Sequence, residues 1–450
     1  MALHHVIVGA GPAGVIAAET LRKHAPADRI TLLGDEPEAP YSRMAIPYLL
    51  MGHIAESGTH LRKTPTHFAD LRIERGTARV TAVDTVQRQL LLDNGSTLAY
   101  DRLLIASGSK PVQPPVPGID APNVHTCWTL EDARHIMAKA QPGTRVLQLG
   151  AGFIGCIIME ALASRGVHLS VVEMGDRMVP RMMGPAAGGM IRRWVEAKGV
   201  AVHTGARVER IEAAQPGFLA RLGSAIGLGS DAPAGPLTVH LSNGQTLEAD
   251  LIISATGVKP TMDFLNGSGV MCLQGVLTDE HMQTNVPGVY AAGDCAEAFD
   301  KVSGKPIVSA IQPNAADQAR VAALNMAGTP GRPDTELKGV TQINVLDTLG
   351  LISTSFGQWE GVPGGESAER VDAAHHRALS LQFDGDVMVG CNSVGWTDHV
   401  GVMRGLVEGR VPLGEWKDRL MADPTQLMHA YLASAQAQGQ WSGAADARRR

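Results

Sequence analysis

Short apolar runs of the kind buried in parallel sheets recur along this chain, and several close on glycine before helically spaced apolar residues. Val6 to Val8 ends at Gly9, a helical pattern follows, and Ile30 to Leu33 reads as the next strand. About 140 residues later the same plan returns. The run from Arg145 to Leu149 ends at Gly150, a helical pattern follows, and Leu169 to Val172 reads as its next strand. Each unit carries a meander of shorter runs. In the first these are Ala78–Ala82, Gln89–Leu92 and, past the Asn94-Gly95 turn, Leu98–Tyr100. In the second they are Leu237–Leu241 and, past Asn243-Gly244, Thr246–Leu247. Buried strands over Asp101–Ala106 and Asp250–Ser254 end in Ala106-Ser107-Gly108 and Ala255-Thr256-Gly257, and Val289–Ala292 ends in Gly293-Asp294.

This pattern predicts an α/β chain with two Rossmann-like dinucleotide-binding units and a C-terminal α+β domain. The first unit spans 1–118 and returns over 245–330; the second spans 119–244, with the Gly/Pro/Ala/Ser-rich stretch Ala213–Gly235 as a surface insertion. Residues 335–436 lack a nucleotide turn. They alternate strand-like runs (Thr341–Leu346, Ala378–Phe383, Val387–Cys391) with a helix from about His399, and 437–450 reads as a disordered tail.

The two turns share one chemistry. Gly9, Gly11 and Gly14, like Gly150, Gly152 and Gly155, have G-x-G-x-x-G spacing between strand and helix. The first glycine allows the tight turn, the second lets backbone approach a pyrophosphate, and the third lets helix and strand pack closely. Free N–H groups at the helix start favour the negative charge. An acidic residue after the following strand would hold ribose hydroxyls: Asp35 or Glu36 in the first unit, Glu173 in the second. Two such sites imply two dinucleotides and electron transfer between them.

Composition narrows the partners. With 44% hydrophobic and 19% charged residues and a net charge of −6, neither nucleic acid nor an anionic membrane is expected as the main partner. Glycines interrupt the apolar N-terminus, so strand plus turn explains it better than a signal peptide, and no spanning helix is expected. The five scattered cysteines form neither C-x-x-C nor a zinc pattern, which suggests inert buried thiols in a reducing cytoplasm and no metal. His4 and His5 read as a solvated edge, and His375-His376 as exposed loop.

The motifs V-G-A-G-P-A-G, L-G-A-G-F-I-G, A-S-G, A-T-G and V-Y-A-A-G-D-C-A, in this order over about residues 4–330, resemble the FAD-dependent pyridine nucleotide-disulfide oxidoreductases. The resemblance implies FAD on the first unit and the returning segment, and NAD(P)H on the middle unit. It places Gly9, Gly11, Gly14, Ala106, Gly108 and Gly293 around FAD, and Gly150, Gly152, Gly155 and Gly257 around NAD. Arg43 stands where a cation often lies near the pyrophosphate. Asp294 would accept from the ribityl chain and start a helix beside the flavin. Glu173 would favour NADH over NADPH, with Arg177 nearby tempering the preference.

Three departures from that pattern shape the functional reading. Met44 occupies the position of the reactive cysteine in NADH oxidases and coenzyme A-disulfide reductases, and a thioether cannot form a thiolate or mixed disulfide. Tyr48 and Ile157 replace a Lys and a Glu that often pair beside the flavin; losing both avoids an orphan buried charge. The resemblance therefore implies a reductase without a thiol relay: hydride passes from NADH to flavin, and electrons go on to a small iron–sulfur protein such as rubredoxin or ferredoxin. Alternatives are an NADH oxidase using O2, or a redox-sensing scaffold in the manner of apoptosis-inducing factor. The third domain offers a homodimer interface or a carrier-docking face; its Trp396–His399 loop could reach a flavin or simply pack.

Overall fold

The computed structural model describes residues 2–213, 235–328 and 335–441. The expected insertion and the last nine residues of the expected tail fall outside the described residues, apart from the insertion's two end residues. The chain forms two compact units. One comprises Met1–Ala45, Ile54–Lys110 and Val258–Gln342; the other comprises Ile46–His53, Pro111–Gly257 and Ile343–Arg450.

In the first unit, five parallel strands lie in the order Val289–Ala291, Arg102–Ile105, His4–Val8, Arg29–Gly34, Ile73–Thr77. The helices Pro12–His24 and Gln312–Ala327 pack against one another. Strands buried on both faces need continuous apolar runs, and Val6, Ile7, Leu103, Leu104 and Ile105 are all fully buried. An antiparallel meander of Val80–Asp84, Gln89–Leu92 and Thr97–Ala99 stands beside this sheet in sequence.

The second unit repeats the plan. Its parallel order is Ala201–Thr204, His168–Glu173, Arg145–Leu149, Leu251–Ser254, Val124–His125. A meander of Val208–Ala213, Leu237–Leu241 and Thr246–Ala249 accompanies it. The same unit contains an antiparallel sheet in the order Ile343–Thr348, Leu351–Gly357, Val387–Val394, Arg377–Asp384, Glu366–Asp372. The helix Val400–Gly409, with His399 at its N-cap, packs on that sheet, and a last helix runs Leu427–Trp441.

Two local expectations are corrected. His4 and His5 belong to the first strand, and His5 is fully buried with Nε2 2.8 Å from an Asp28 carboxylate oxygen. That carboxylate, in the bend before the strand Arg29–Gly34, gives the buried imidazole a partner, which an edge reading overlooks. Asp294 does not open a helix. Gly293, at φ +85°, turns the chain into the strand Ala296–Phe299, and the helix begins at Gln312. Ala296 to Ala298 are buried, so burial of a short strand outweighs the helical propensity of alanine.

Candidate functional site

Each glycine turn lies at the carboxyl end of the central strand of its parallel sheet, where open α/β folds bind ligands. The two are built alike. Gly9 (φ +115°) and Gly150 (φ +95°) donate their N–H to Leu33 O and Val172 O, both at 2.8 Å. A Cβ on Gly9 would lie 2.0 Å from Ala106 O; one on Gly150 would lie 2.5 Å from Ala255 O. The echo between Ala106-Ser107-Gly108 and Ala255-Thr256-Gly257 thus has a mechanical reason: these strand ends press on the turn. Gly14 and Gly155 pack as closely, their Cβ positions 1.9 and 2.5 Å from Gly9 O and Gly150 O.

The middle glycines behave oppositely. Gly11 and Gly152 are helix N-caps with nearly the same backbone, φ −77°, ψ −172° and φ −75°, ψ −171°, and among the described residues a Cβ there would meet nothing within 4 Å. Among the described residues no side chain caps either helix start. Open space in front of uncapped N–H groups is what a pyrophosphate requires. Gly108 (φ +66°) and Gly257 (φ +113°) are likewise open at the strand ends. The chain therefore fits a dinucleotide at both turns.

Around the first turn, Glu36 is engaged. Its carboxylate accepts from Tyr41 Oη at 2.5 Å and from Arg43 Nη2 at 2.6 Å, while Asp35 is half exposed with Arg79 Nε 3.7 Å away. The structure thus brings Glu36 and Arg43 together. Asp294, in the turn after Ala292, accepts from Ser109 Oγ at 3.1 Å. Burial pushes its carboxyl above the ordinary aspartate range, offset in part by the Ser109 hydroxyl and the Arg43 charge. Gly293 donates its N–H to Gln318 Oε1 at 2.8 Å, while Gln318 Nε2, buried, has no protein partner among the described residues. Gln318 was missed in the sequence; a lone amide on the buried face of an alanine-rich helix is the signal that could have found it. Met44 is exposed on the short helical turn Arg43–Ala45.

Around the second turn, Glu173 is 9% exposed and closes a clasp. Its Oε2 accepts from Ala151 N and its Oε1 from Gly175 N, both at 2.7 Å. Gln148, fully buried one residue before the strand ends, donates from Nε2 to Gly150 O at 2.8 Å. Its mark in the sequence is a polar residue inside the apolar run Val146–Leu149, a signal not used above. Arg177 spends its guanidinium locally, on Met183 O (2.8 Å), Asp176 (2.7 Å) and Pro180 O (3.3 Å).

Tyr48 and Ile157 sit on helices Ile46–Leu50 and Phe153–Ala163, which pack together in the second unit. Arg165 Nη1 caps the shorter helix by donating to Leu50 O at 2.9 Å. Tyr48 is half exposed and Ile157 is partly buried. Trp396 lies under the Arg370 guanidinium, 5.9 Å from its carbon to the ring centroid. Cys127, Cys156, Cys295 and Cys391 are free and buried; Cys272 is partly so.

Known proteins share this architecture. The chain is 33% identical over 421 residues to the NADH-dependent phenylglyoxylate dehydrogenase subunit epsilon of Aromatoleum evansii, a match spanning 93% of this chain and 95% of that one. It is 32% identical over 291 residues to the biphenyl dioxygenase system ferredoxin–NAD(+) reductase component of Paraburkholderia xenovorans, spanning 64% and 66%. In fold it resembles the crystal structure of the covalent putidaredoxin reductase–putidaredoxin complex, with a TM-score of 0.82 at 24% identity over 95% of this chain and 98% of that one. Residues 3–322 match the pyridine nucleotide-disulphide oxidoreductase family as a whole, and it is to this family that the chain belongs.

Proposed function

We propose that the chain holds FAD at the Gly9 turn and NADH at the Gly150 turn, and delivers electrons from NADH to a small iron–sulfur protein. The observation that carries this reading is the near-identical geometry of Gly11 and Gly152, two open helix starts in one chain. FAD, when bound, would supply two-electron uptake and one-electron release. The protein's own part is to orient and to exclude water. Met44, at the position of the reactive cysteine of NADH oxidases and coenzyme A-disulfide reductases, removes the thiol route, and burial pushes the thiol of Cys156, the cysteine adjacent to the second turn, up to about 12. Similarity to a ferredoxin–NAD(+) reductase supports the acceptor class.

Preference for NADH over NADPH rests on Glu173 and Arg177. A buried carboxylate beside the turn repels a 2′-phosphate, and the Arg177 guanidinium is already spent on Met183, Asp176 and Pro180. Tyr48 and Ile157 take part as a neutral pair of positions. This reading puts the protein in the cytoplasm, where its reductant is made; among the described residues, no helix is long and apolar enough to cross a membrane.

Anaerobic stopped-flow mixing tests the proposal. NADH should bleach the flavin absorbance, and NADPH should do so only at concentrations about 10-fold higher or more. No bleaching at millimolar NADH or NADPH overturns it. Oxygen consumption outpacing reduction of ferredoxin or rubredoxin would instead support the oxidase alternative.

A second reading is favoured by the near full-length similarity to a dehydrogenase subunit. In it, the chain is the NADH-reacting subunit of a larger oxidoreductase, and the iron–sulfur partner is another subunit. Native gel filtration decides: flavin eluting with iron well above the 47.5 kDa of one chain supports it.

A further inference from the structure

The backbone of Ala151, centre of the second glycine turn and fully buried, is held from both sides. Glu173 takes its N–H, and its carbonyl accepts the N–H of Val179 at 2.8 Å. Val179 is an unusual choice for that duty. It is 1% exposed and stands at φ +49°, in the left-handed region that β-branched residues avoid. Such a conformation persists only where the surroundings over-determine it.

The surroundings are the loop itself and, beyond it, the antiparallel sheet Ile343–Val394. Val179 O accepts the N–H of Met182 and of Met183, each at 3.0 Å. Outward of these, Arg177 holds Met183 O and Pro180 O from within the same loop, and one side chain of the sheet reaches across to it. Asn392, 3% exposed on the strand Val387–Val394, donates from Nδ2 to Met182 O at 2.9 Å and accepts the Gly184 N–H on Oδ1 at 3.1 Å. Its amide thus spans residues 182 to 184 as a strand partner would, and Nδ2 also reaches Ser355 Oγ at 3.2 Å. Met178, Met182 and Met183 of the same loop are all buried. Every link lies within the second unit.

We infer that Asn392 is a positioning residue for the nicotinamide dinucleotide: by clamping Met182–Gly184 it keeps Val179 left-handed, and Val179 in turn fixes the carbonyl of Ala151 in the turn. This rests on the proposed NADH site at Gly150–Gly155 and adds to it a residue about 240 positions away in sequence. The terminal sheet then does more than offer a surface; it sets how tightly the turn is drawn.

The test uses the flavin-loaded full chain and two substitutions in a double-mutant cycle. Asn392→Ala should raise the KM for NADH, and the Kd for NAD+ measured by equilibrium dialysis, about 10-fold, while kcat with ferricyanide and the flavin content stay within about 2-fold. Val179→Gly supplies the rescue, because glycine holds positive φ without strain and needs no clamp. In the Val179→Gly background, Asn392→Ala should change KM by no more than about 2-fold. Full additivity of the two substitutions, or no KM effect of Asn392→Ala alone, overturns the inference. If Asn392→Ala does not fold, Asn392→Ser in the same cycle carries the same expectations. Failure of the parent reading looks different: the unsubstituted protein would bind neither NADH nor NADPH, and no cycle could be measured.

Discussion

The carboxylate of Glu173 accepts the N–H of Ala151 at 2.7 Å, tying the end of one strand to the middle of the glycine turn beside it. Its second oxygen takes the N–H of Gly175. A residue placed by spacing to read a ribose is thus also part of the turn's frame. Glu173→Ala leaves the buried Ala151 N–H without an acceptor, a loss of about 1–3 kcal/mol. We expect a lowered urea midpoint together with a KM for NADH raised about 10-fold or more, at unchanged flavin content. A variant with weakened NADH binding and an unshifted midpoint would mean that Glu173 serves the ligand alone.

The glycines of each turn should separate into two classes. A Cβ on Gly9 would lie 2.0 Å from Ala106 O at a φ of +115°, so Gly9→Ala should yield little soluble protein. At Gly11 a Cβ would meet nothing within 4 Å among the described residues. Gly11→Ala should therefore fold with an ordinary unfolding midpoint yet retain little flavin, read from the ratio of absorbance at 450 nm to that at 280 nm, an ordinary flavoprotein assay. Gly152→Ala should keep its flavin and lose NADH affinity. Equal flavin loss in Gly11→Ala and Gly152→Ala would contradict two separate sites.

How far each feature is legible in the sequence follows from how local its signal is. The turns were legible because strand, glycines and helix are contiguous, and their spacing alone dictates which glycine faces backbone and which faces open space. Their anchors were harder to see. Gln148 and Gln318 act on Gly150 and Gly293 from positions whose polarity shows only once neighbouring burial is known. Ile46–His53 clusters with the second unit although it lies in sequence within the first, because its helix Ile46–Leu50, with Ile46, Leu49 and Leu50 buried, packs on helices Phe153–Ala163 and Leu130–Lys139. The strained Val179 has no sequence signature, since a valine inside a Met-rich loop gives no hint of positive φ. Asp294 misled because Gly-Asp followed by Cys-Ala reads equally as a helix start and as a turn into a strand.

Thiol labelling should report burial directly. Burial pushes the Cys127 and Cys156 thiols up to about 12 and raises those of Cys295 and Cys391 as well. Thiolate is the reactive form. Folded protein at pH 8 should take up at most one N-ethylmaleimide within minutes, at the partly exposed Cys272, and five in urea. Intact mass spectrometry counts the adducts. Two or more rapid adducts on the folded protein would require a reactive cysteine that the structure does not contain among its described residues.

The Asp294 carboxyl predicts the sign of a pH effect in the flavin-free protein. Burial raises its folded value above that of an unfolded aspartate, which lies at about 3.9. The folded state then binds the proton more tightly than the unfolded chain does. Its contribution to stability is full below the unfolded value and is lost as pH rises through the folded one. Urea midpoints measured across that window should fall with pH, and Asp294→Asn should flatten the slope while raising stability at neutral pH. A steeper slope in the variant, or a midpoint that climbs with pH in the parent while remaining flat in Asp294→Asn, would place the carboxylate in a stabilising ion pair with Arg43 instead.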